Sequence, residues 1–414
     1  GSATSAEGAV GMGVGALAAL TTGNNNTAIG HQAGDAITTG ANNLILGYNA
    51  AASAATVSNE ITLGDTNITK FRIPGLNFVV KDTTATEDYV LTVDANGEAG
   101  WEAAAGGGGG GLTSDAQNNI VAGTNAGDSF TGTDANENIC IGVSSGTAIT
   151  TGDKNICIGT EALNAAQTRS HNVAIGYRAF YTNNSGADGT VAIGSEAGYT
   201  YNGWNAFTAV GRKALNALTT ASECTGVGYY AGKSATTAIS LTAFGNSAGE
   251  DCTTGGSNTF LGRYAGRSVT TGGYNVVVGD AALDQGTTCS YNVAVGVAAA
   301  EDASIGDNNI AIGYQALRHH ESTDSVAVGH RALMTNTTGS EHTAVGYHAL
   351  KANSTATKNT AIGYEAGLDI TTGSYNTCVG HEAGTALTTS SYGTFIGYRA
   401  GKAYTTENQW GASA

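Results

Sequence analysis

Short apolar clusters recur along this chain at one spacing. The segments "NTAIGHQAG" (26–34), "NIAIGYQAL" (309–317) and "NTAIGYEAG" (359–367) are near copies, and each places an aliphatic residue directly before a glycine. With that glycine as position 0 of a unit, successive anchors are 17 residues apart at nearly every step, with exceptions of 19, 18 and 16. The anchors are Gly13, Gly30, Gly47 and Gly64, then Gly123, Gly142, Gly159, Gly176, Gly194, Gly211, Gly228, Gly245, Gly262, Gly279, Gly296, Gly313, Gly329, Gly346, Gly363, Gly380 and Gly397. A fixed period over most of a chain indicates a solenoid.

The apolar positions of each unit have the period of a β-strand. Positions −3 and −1 are mostly Val, Ile, Thr or Leu and lie two residues apart, and 17 residues are too few for two helices and a turn. We therefore predict an all-β fold, a parallel β-solenoid (β-roll) of 17-residue coils joined by glycine-rich turns. Coils stacked about 4.8 Å apart make the second block a rod of roughly 80 Å.

Position −2, between the two apolar positions, is the unusual one. If −3 and −1 point into the coil, −2 points outward, yet it is Ala in ten of the twenty units from Gly30 to Gly397 and never charged. We therefore expect the outer face to be covered by further copies of the chain in a homotrimeric fibre, intertwined or side by side, with a dimer as the alternative. The predicted interface residues are Ala174, Ala192, Ala294, Ala311, Ala327, Ala344 and Ala361.

The repeat is interrupted once. Residues 65–105 read as strands with a turn in "DANGEAG", and "GGGGGG" at 106–111 follows. The predicted organisation is a short solenoid over 1–64, a small non-repeat β region over 65–105, a glycine-rich joint over 106–118, and a long solenoid of about 17 coils over 119–414.

Composition and charge narrow the possible functions. The chain has 62 Gly, 1 Pro and only 12% charged residues, and its net charge of −16 argues against binding nucleic acid or anionic lipid. No run of 18 apolar residues occurs, so no membrane insertion is predicted. The start "GSATSAEGAV" does not read as a signal peptide, and we expect a fragment, a processed product or a tagged chain.

Catalytic and metal-binding patterns are weak throughout. The adjacent His319 and His320 in "RHHES" are interpreted as a solvated corner, and "GMGVGA" as a degenerate first coil rather than a phosphate loop. The six cysteines form no CxxC, and Cys140 and Cys157, one coil apart, are expected to be small buried residues. No enzyme, no metal and no cofactor is predicted. The recurrent "TTG" is also compared with an ice-binding array. Such an array needs both Thr residues on one face, whereas adjacent Thr residues on a strand face opposite sides.

Aromatic residues offer the candidate recognition sites. One group surrounds the 18-residue step and gives the receptor-contact candidates Phe180, Tyr181, Tyr199, Tyr201, Trp204 and Phe207. Aromatic faces are frequent at interfaces, but the interpretation that these side chains fill a widened coil is favoured. A second set, the Tyr column at position +1, is interpreted as a structural stack in preference to a glycan-binding ladder.

Several segments resemble known fibrous proteins. "DSVAVGHRAL" and "HNVAIGYRAF" resemble the head repeats of trimeric autotransporter adhesins, and "NEITLGDTNITKFRIPG", "VLTVDANGEAGWEAA" and "LTSDAQNNIVAGTNAGDSF" are similar to segments of bacteriophage tail fibres. The resemblance implies a trimeric virion appendage that contacts other virion proteins and the host surface, through a cell-surface glycan or an outer-membrane component. It fixes no binding residue.

The expected function is therefore mechanical. We expect a stiff trimeric spacer of a phage virion, located in the tail fibre and extracellular, that presents host-receptor contacts. The alternative is a bacterial surface adhesin of the trimeric autotransporter type. A monomeric ice- or ligand-binding solenoid is the outside alternative.

Overall fold

The computed structural model describes residues 5–69, 89–93, 99–103, 114–131, 133–182, 188–203, 205–301, 305–404 and 412–413. The chain divides into two compact units, Gly1–Ala85 and Thr86–Ala414. Among the described residues there are strands and turns and no helix. Most of the predicted joint, residues 106–113, lies outside the described residues.

Nearly every coil contributes one strand of three residues. The strands are Val10–Met12 (β1), Thr27–Ile29 (β2), Leu44–Leu46 (β3), Ile61–Leu63 (β4), Tyr89–Val93 (β5), Ala99–Ala103 (β6), Ile120–Ala122 (β7), Ile139–Ile141 (β8), Ile156–Ile158 (β9), Val173–Ile175 (β10), Val191–Ile193 (β11), Thr208–Val210 (β12), Thr225–Val227 (β13), Thr242–Phe244 (β14), Thr259–Leu261 (β15), Val276–Val278 (β16), Val293–Val295 (β17), Ile310–Ile312 (β18), Val326–Val328 (β19), Thr343–Val345 (β20), Thr360–Ile362 (β21), Thr377–Val379 (β22), Thr394–Ile396 (β23) and Ala412–Ser413 (β24).

Strands of successive coils pair in parallel. In the first unit β1 to β4 form one sheet, and in the second unit β7 to β24 form a ladder in which each strand bonds to the next along the chain. The irregular steps keep this register: Ile120 pairs with Ile139, Val173 with Val191, and Ile310 with Val326. Extra or missing residues are therefore absorbed in the turns. The predicted parallel β-solenoid of 17-residue coils is confirmed.

Between the two solenoid segments the chain forms a hairpin. Strands β5 and β6 pair antiparallel, with Leu91 opposite Trp101. Residues 94–98 between them, where the sequence predicts a turn, lie outside the described residues.

The direction in which the strand side chains point is the reverse of the predicted one. In β2, β3 and β8 to β23, position −2 is buried inside the coil of a single chain, and positions −3 and −1 are half-buried or exposed on the outside. Position −2 is not buried in β1, β4 and β7 at the solenoid ends. The predicted interface residues Ala174, Ala192, Ala294, Ala311, Ala327, Ala344 and Ala361 are all at most 1% exposed and belong to the core of one chain. The prediction that they face a partner is therefore wrong. The coil is narrow, so its interior accepts a small residue and the β-branched residues project outward.

The anchor glycines are required by both conformation and space. Gly363 has φ of 139°, which favours glycine, and a Cβ there would lie 2.4 Å from the carbonyl oxygen of Gly380 in the next coil. The residue three positions on, such as Ala366, is buried as well. Close coil-to-coil approach therefore restricts the sequence at positions 0, −2 and +3.

A ladder of buried asparagines holds the corner before many strands. The backbone N–H and the side-chain amide of Asn155 both donate to Oδ1 of Asn138, at 2.9 and 3.0 Å, and the same amide donates to the carbonyl oxygen of Arg169 at 2.7 Å. Asn172 repeats the first two bonds on Asn155. Each amide at position −4 therefore joins its own coil to the coil before it and the coil after it.

Candidate functional site

The predicted aromatic group divides into a buried part and a half-buried part. Phe180 and Tyr201 are fully buried and Phe207 is 4% exposed, and the three rings pack together with centroids 4.9 to 6.2 Å apart. The Tyr201 hydroxyl donates to the carbonyl oxygen of Asn205. These three side chains fill the widened coil, so their prediction as receptor contacts is wrong.

The remaining members of that group lie elsewhere. Tyr181 and Tyr199 are half-buried and stacked at 5.2 Å and 7°, and the guanidinium of Arg178 lies 5.4 Å from the Tyr181 ring. Trp204 lies outside the described residues. Tyr181 and Tyr199 therefore stay as candidate contacts, on a rigid stack rather than in a pocket.

The outward strand face is a continuous uncharged surface along the long solenoid. Among its exposed members are Phe244, Leu261, Val276, Ile312, Ile362 and Ile396, between 38% and 57% exposed. Positions −3 and −1 of β7 to β23 carry Val, Ile, Thr, Leu, Phe or Ala and no charged residue. Seventeen strands about 4.8 Å apart and three residues wide give a face of roughly 80 by 10 Å. Eight of the seventeen residues at position −3 are Thr, and position −1 is apolar throughout. The footprint of the face is comparable to the roughly 800 Å² that each partner buries in a stable interface.

A second exposed feature is a ladder of aromatic rings at position +1. Tyr347, Tyr364 and His381 stack at 5.1 and 4.9 Å with interplanar angles of 7° and 13°, and Tyr314, His330 and Tyr398 continue the series. Tyr347 and Tyr364 keep about two-fifths of their surface exposed. The predicted stack of like residues in register is confirmed. Because the rings cover one another, mainly their edges face outward.

Threonine hydroxyls along the "TTG" corners are not free for a lattice of water. The first Thr of each pair donates to a carbonyl of the following coil, as Thr253 does to Thr270, Thr270 to Thr287 and Thr371 to Thr388, at 2.9 to 3.1 Å. At most of these corners only the second Thr is exposed, as at Thr254 and Thr271, and at Thr337 and Thr338 both are. This arrangement gives one exposed rank instead of the two that an ice-binding surface needs.

One of these corners forms an open groove of about 420 Å³. Its floor is the backbone of Gly256 and Gly273, which occupy position −6 in successive coils. One wall is the exposed Thr rank at position −8, and the other is the rank at position −5. The groove is lined by Thr237, Ile239, Thr254, Gly256, Ser257, Thr271, Gly273, Tyr274, Ser290 and Tyr291. We call this surface the glycine groove.

Two tyrosines dominate the wall of the glycine groove. Tyr274 and Tyr291 are parallel, with centroids 5.0 Å apart and an interplanar angle of 3°, and both are more than half exposed. The sequence signal that could have located them is the pair of consecutive corners "TTGGSN" and "TTGGYN" at 253–258 and 270–275, which place glycine at the same two positions of neighbouring coils.

Two buried histidines lie in the solenoid interior near the 16-residue step. His320 is fully buried, with Nε2 3.1 Å from Oδ1 of Asn309 and Nδ1 accepting from the Asn336 amide at 2.9 Å. His342 replaces an asparagine of the ladder and donates from Nε2 to the carbonyl oxygen of Ala356 at 2.8 Å. The interpretation of His320 as part of a solvated corner is therefore wrong, whereas His319 is exposed.

Burial sets the protonation of these interior groups. Loss of hydration lowers the pKa of His320 and of His342 from the ordinary 6.5 to about 4, and the two imidazoles repel each other when charged. Burial likewise raises the pKa of the Cys252 and Cys378 thiols to about 12. All six cysteines are free and buried, as predicted for Cys140 and Cys157, and they act as small apolar residues.

The described residues contain no group of three or more His, Cys, Asp and Glu side chains placed to hold a metal ion. Over the same part of the chain, no helix is long and apolar enough to cross a membrane. No protein family, no curated protein and no solved structure matches this chain.

Proposed function

We propose that this chain forms the stiff, homotrimeric shaft of an extracellular fibre, of the kind carried by phage virions, and that it presents contacts to a host-cell surface. The outward apolar strand face carries this proposal. Its area is that of a stable interface, it has no charged residue at positions −3 and −1 of β7 to β23, and it extends along one side of every coil.

The partner that fits this face is a second and third copy of the same chain. A parallel copy in register presents the same uncharged residues at the same coil spacing, so the two faces match along their length. Burial of half-exposed Ile, Val and Phe side chains would stabilise the assembly by about 25 cal/mol for each Å² removed from water. Stiffness follows from the ladder of parallel strands β7 to β23 within the second unit.

The solution mass of the intact chain tests the assembly. One chain has a mass of 41.3 kDa, so light scattering after size exclusion should give about 124 kDa for a trimer. A monomer at micromolar concentration would contradict the proposal. A dimer would keep the interface and change its symmetry.

A matched pair of variants tests which face assembles. Ile312→Lys, Ile362→Lys and Ile396→Lys together place charges on the outward strand face and should give a folded monomer. The control is Thr338→Lys, Thr355→Lys and Thr372→Lys, three exposed residues at position −8, and it should keep the native mass. Equal masses for the two triple variants would place the interface elsewhere.

A further inference from the structure

We infer that the glycine groove binds a neutral oligosaccharide and contacts about two of its sugar units. This deepens the proposed host contact and rests on that proposal for its biological setting. The site comprises the aromatic wall of Tyr274 and Tyr291, the glycine floor, and the hydroxyl wall of Thr254 and Thr271.

The aromatic wall offers a free ring face. Since Tyr274 and Tyr291 stack on each other at one coil spacing, the outer face of Tyr274 points along the rod toward the preceding coil. That coil carries Ser257 at the same position, whose short side chain leaves the face uncovered. The C–H face of a pyranose ring packs on an aromatic surface of this kind, and tyrosine offers it with little loss of conformational freedom.

The opposite wall and the end of the groove supply hydrogen bonds. The hydroxyls of Thr237, Thr254 and Thr271 are on exposed residues, and Ser290 closes the end beyond Gly273. A hydroxyl both donates and accepts, which suits the hydroxyls of a sugar. No lining residue is charged, and the chain has a net charge of −16, so a neutral sugar fits better than an acidic one. A volume of about 420 Å³ is within the range of small-molecule sites.

The solenoid contains its own comparison for this site. Tyr375 and Tyr392 occupy the same coil position and stack in the same way, at 5.0 Å and 6°. There the floor positions are Ser374 and Ser391, and the hydroxyl of Ser391 accepts from the backbone N–H of Ser374 at 3.0 Å. Side chains therefore stand where the glycine groove has none.

The corners share the aromatic pair and one seryl hydroxyl bond, since Ser290 accepts from the backbone N–H of Gly273 at 3.2 Å. They differ in the side chain of Ser374 and in Lys358, whose Nζ lies 5.5 Å from the Tyr375 ring. An open floor and an uncovered ring face therefore distinguish the glycine groove.

Saturation-transfer NMR and calorimetry on the intact chain test the inference. The probes are lactose, maltose, cellobiose and the methyl glycoside of whichever disaccharide binds best. At least one neutral disaccharide should bind, and the methyl glycoside should bind equally, because an open groove that reads the interior of a surface glycan has no need of a free reducing end. Sialyllactose should bind at least tenfold more weakly than lactose. Absence of binding by all three disaccharides, or a preference for sialyllactose, would overturn the proposal.

Three variants locate the binding. Tyr274→Ala should weaken affinity at least tenfold, and the matched Tyr375→Ala should leave it unchanged. Gly256→Ser should weaken affinity to a similar extent in a folded chain. A Cβ at Gly256 would lie 3.2 Å from the carbonyl oxygen of Ile239, and a small local shift relieves that contact, as serine at the equivalent Ser374 shows. Retained affinity in Tyr274→Ala, or equal loss in Tyr375→Ala, would overturn the assignment.

Failure of this inference and failure of the proposed function give different results. A trimer that binds no disaccharide keeps the fibre and removes the groove. A monomer that binds a disaccharide through Tyr274 keeps the groove and removes the fibre.

Discussion

The coils from Asn138 to Asn172 and those from Thr190 to Leu241 share one strand register but fill the corner before the strand differently. In the first region each corner holds an asparagine that bonds to its neighbours. In the second the same position is Thr190, Phe207, Cys224 and Leu241. Asparagines return at Asn258, Asn275, Asn292 and Asn309. The backbone ladder is continuous through both regions.

The residue type at this corner is therefore determined by the residues at the same position in the adjacent coils. An amide is stable there when an adjacent coil offers a second amide, as Asn155 does for Asn172. A ring is stable when further rings fill the same space, as Phe180 and Tyr201 do around Phe207. In a solenoid each coil contacts only the adjacent ones, so such preferences are local. Substitutions should therefore disturb two or three coils and leave distant ones intact.

The largest effect is expected from removing a ring in the apolar region. Phe207→Ala should destabilise the surrounding coils by about 3–5 kcal/mol, because it leaves a cavity beside Phe180 and Tyr201. Hydrogen exchange followed by mass spectrometry should show loss of protection in the coils around Phe207 and none near Asn359. Uniform loss along the whole solenoid would contradict the nearest-neighbour picture.

Interrupting the asparagine ladder should destabilise the solenoid somewhat less than Phe207→Ala does. Asn155→Ala leaves the backbone N–H of Asn172 and the carbonyl oxygen of Arg169 without their partners, which should cost about 2–4 kcal/mol in the same measurement. The control is Asn246→Ala, an exposed asparagine with negative φ at position +1, which should change stability by less than about 0.5 kcal/mol. Similar effects in the two variants would mean that the ladder contributes no more than surface bonds.

Acid should weaken the coils that hold the buried histidines. The pKa of His320 and of His342 is about 4 in the folded chain and ordinarily 6.5, so the unfolded chain binds more protons between these values. Stability should fall as pH is lowered from about 6.5 to about 4 and then level off, by at most about 3 kcal/mol for each histidine. Melting curves from pH 7 to pH 4 measure this loss.

His342→Asn restores the ladder residue and sharpens the acid prediction. This variant should lose part of the pH dependence, whereas substitution of the exposed His319 by Asn should leave it unchanged. A pH profile that His342→Asn does not alter would remove His342 as a cause.

A small gain in stability is expected from replacing one buried asparagine. Asn353 is fully buried and neither side-chain polar atom has a hydrogen-bond partner, while Ile370 and Leu387 occupy its position in the next two coils. Asn353→Leu should therefore stabilise these coils by about 1–2 kcal/mol. A fall in the melting temperature would show that the amide is satisfied by water.

The sequence predicts the coil length, the strands and the register, because glycines with positive φ and close coil contact recur every 17 residues. It misassigned the two strand faces. Alternation distinguishes two sides, but both sides here are apolar, and only the width of the coil decides that Ala361 lies inside and Ile362 outside. For the same reason, the sequence did not decide whether Phe180 and Tyr201 fill the coil or face outward. The glycine groove exists because Gly256 and Gly273 have no side chains. Hydrophobic periodicity does not reveal such a position.

Hydrogen exchange of Ala361→Lys beside Ile362→Lys tests the strand orientation most directly, since the residues are neighbours on one strand. The account predicts that Ala361→Lys abolishes protection in β20 to β22, because it buries an unpaired charge inside the coil. Ile362→Lys should keep that protection within each chain and lower the native mass. Preserved protection in Ala361→Lys together with loss of the native mass would contradict the account and return the alanine column to an interface between chains.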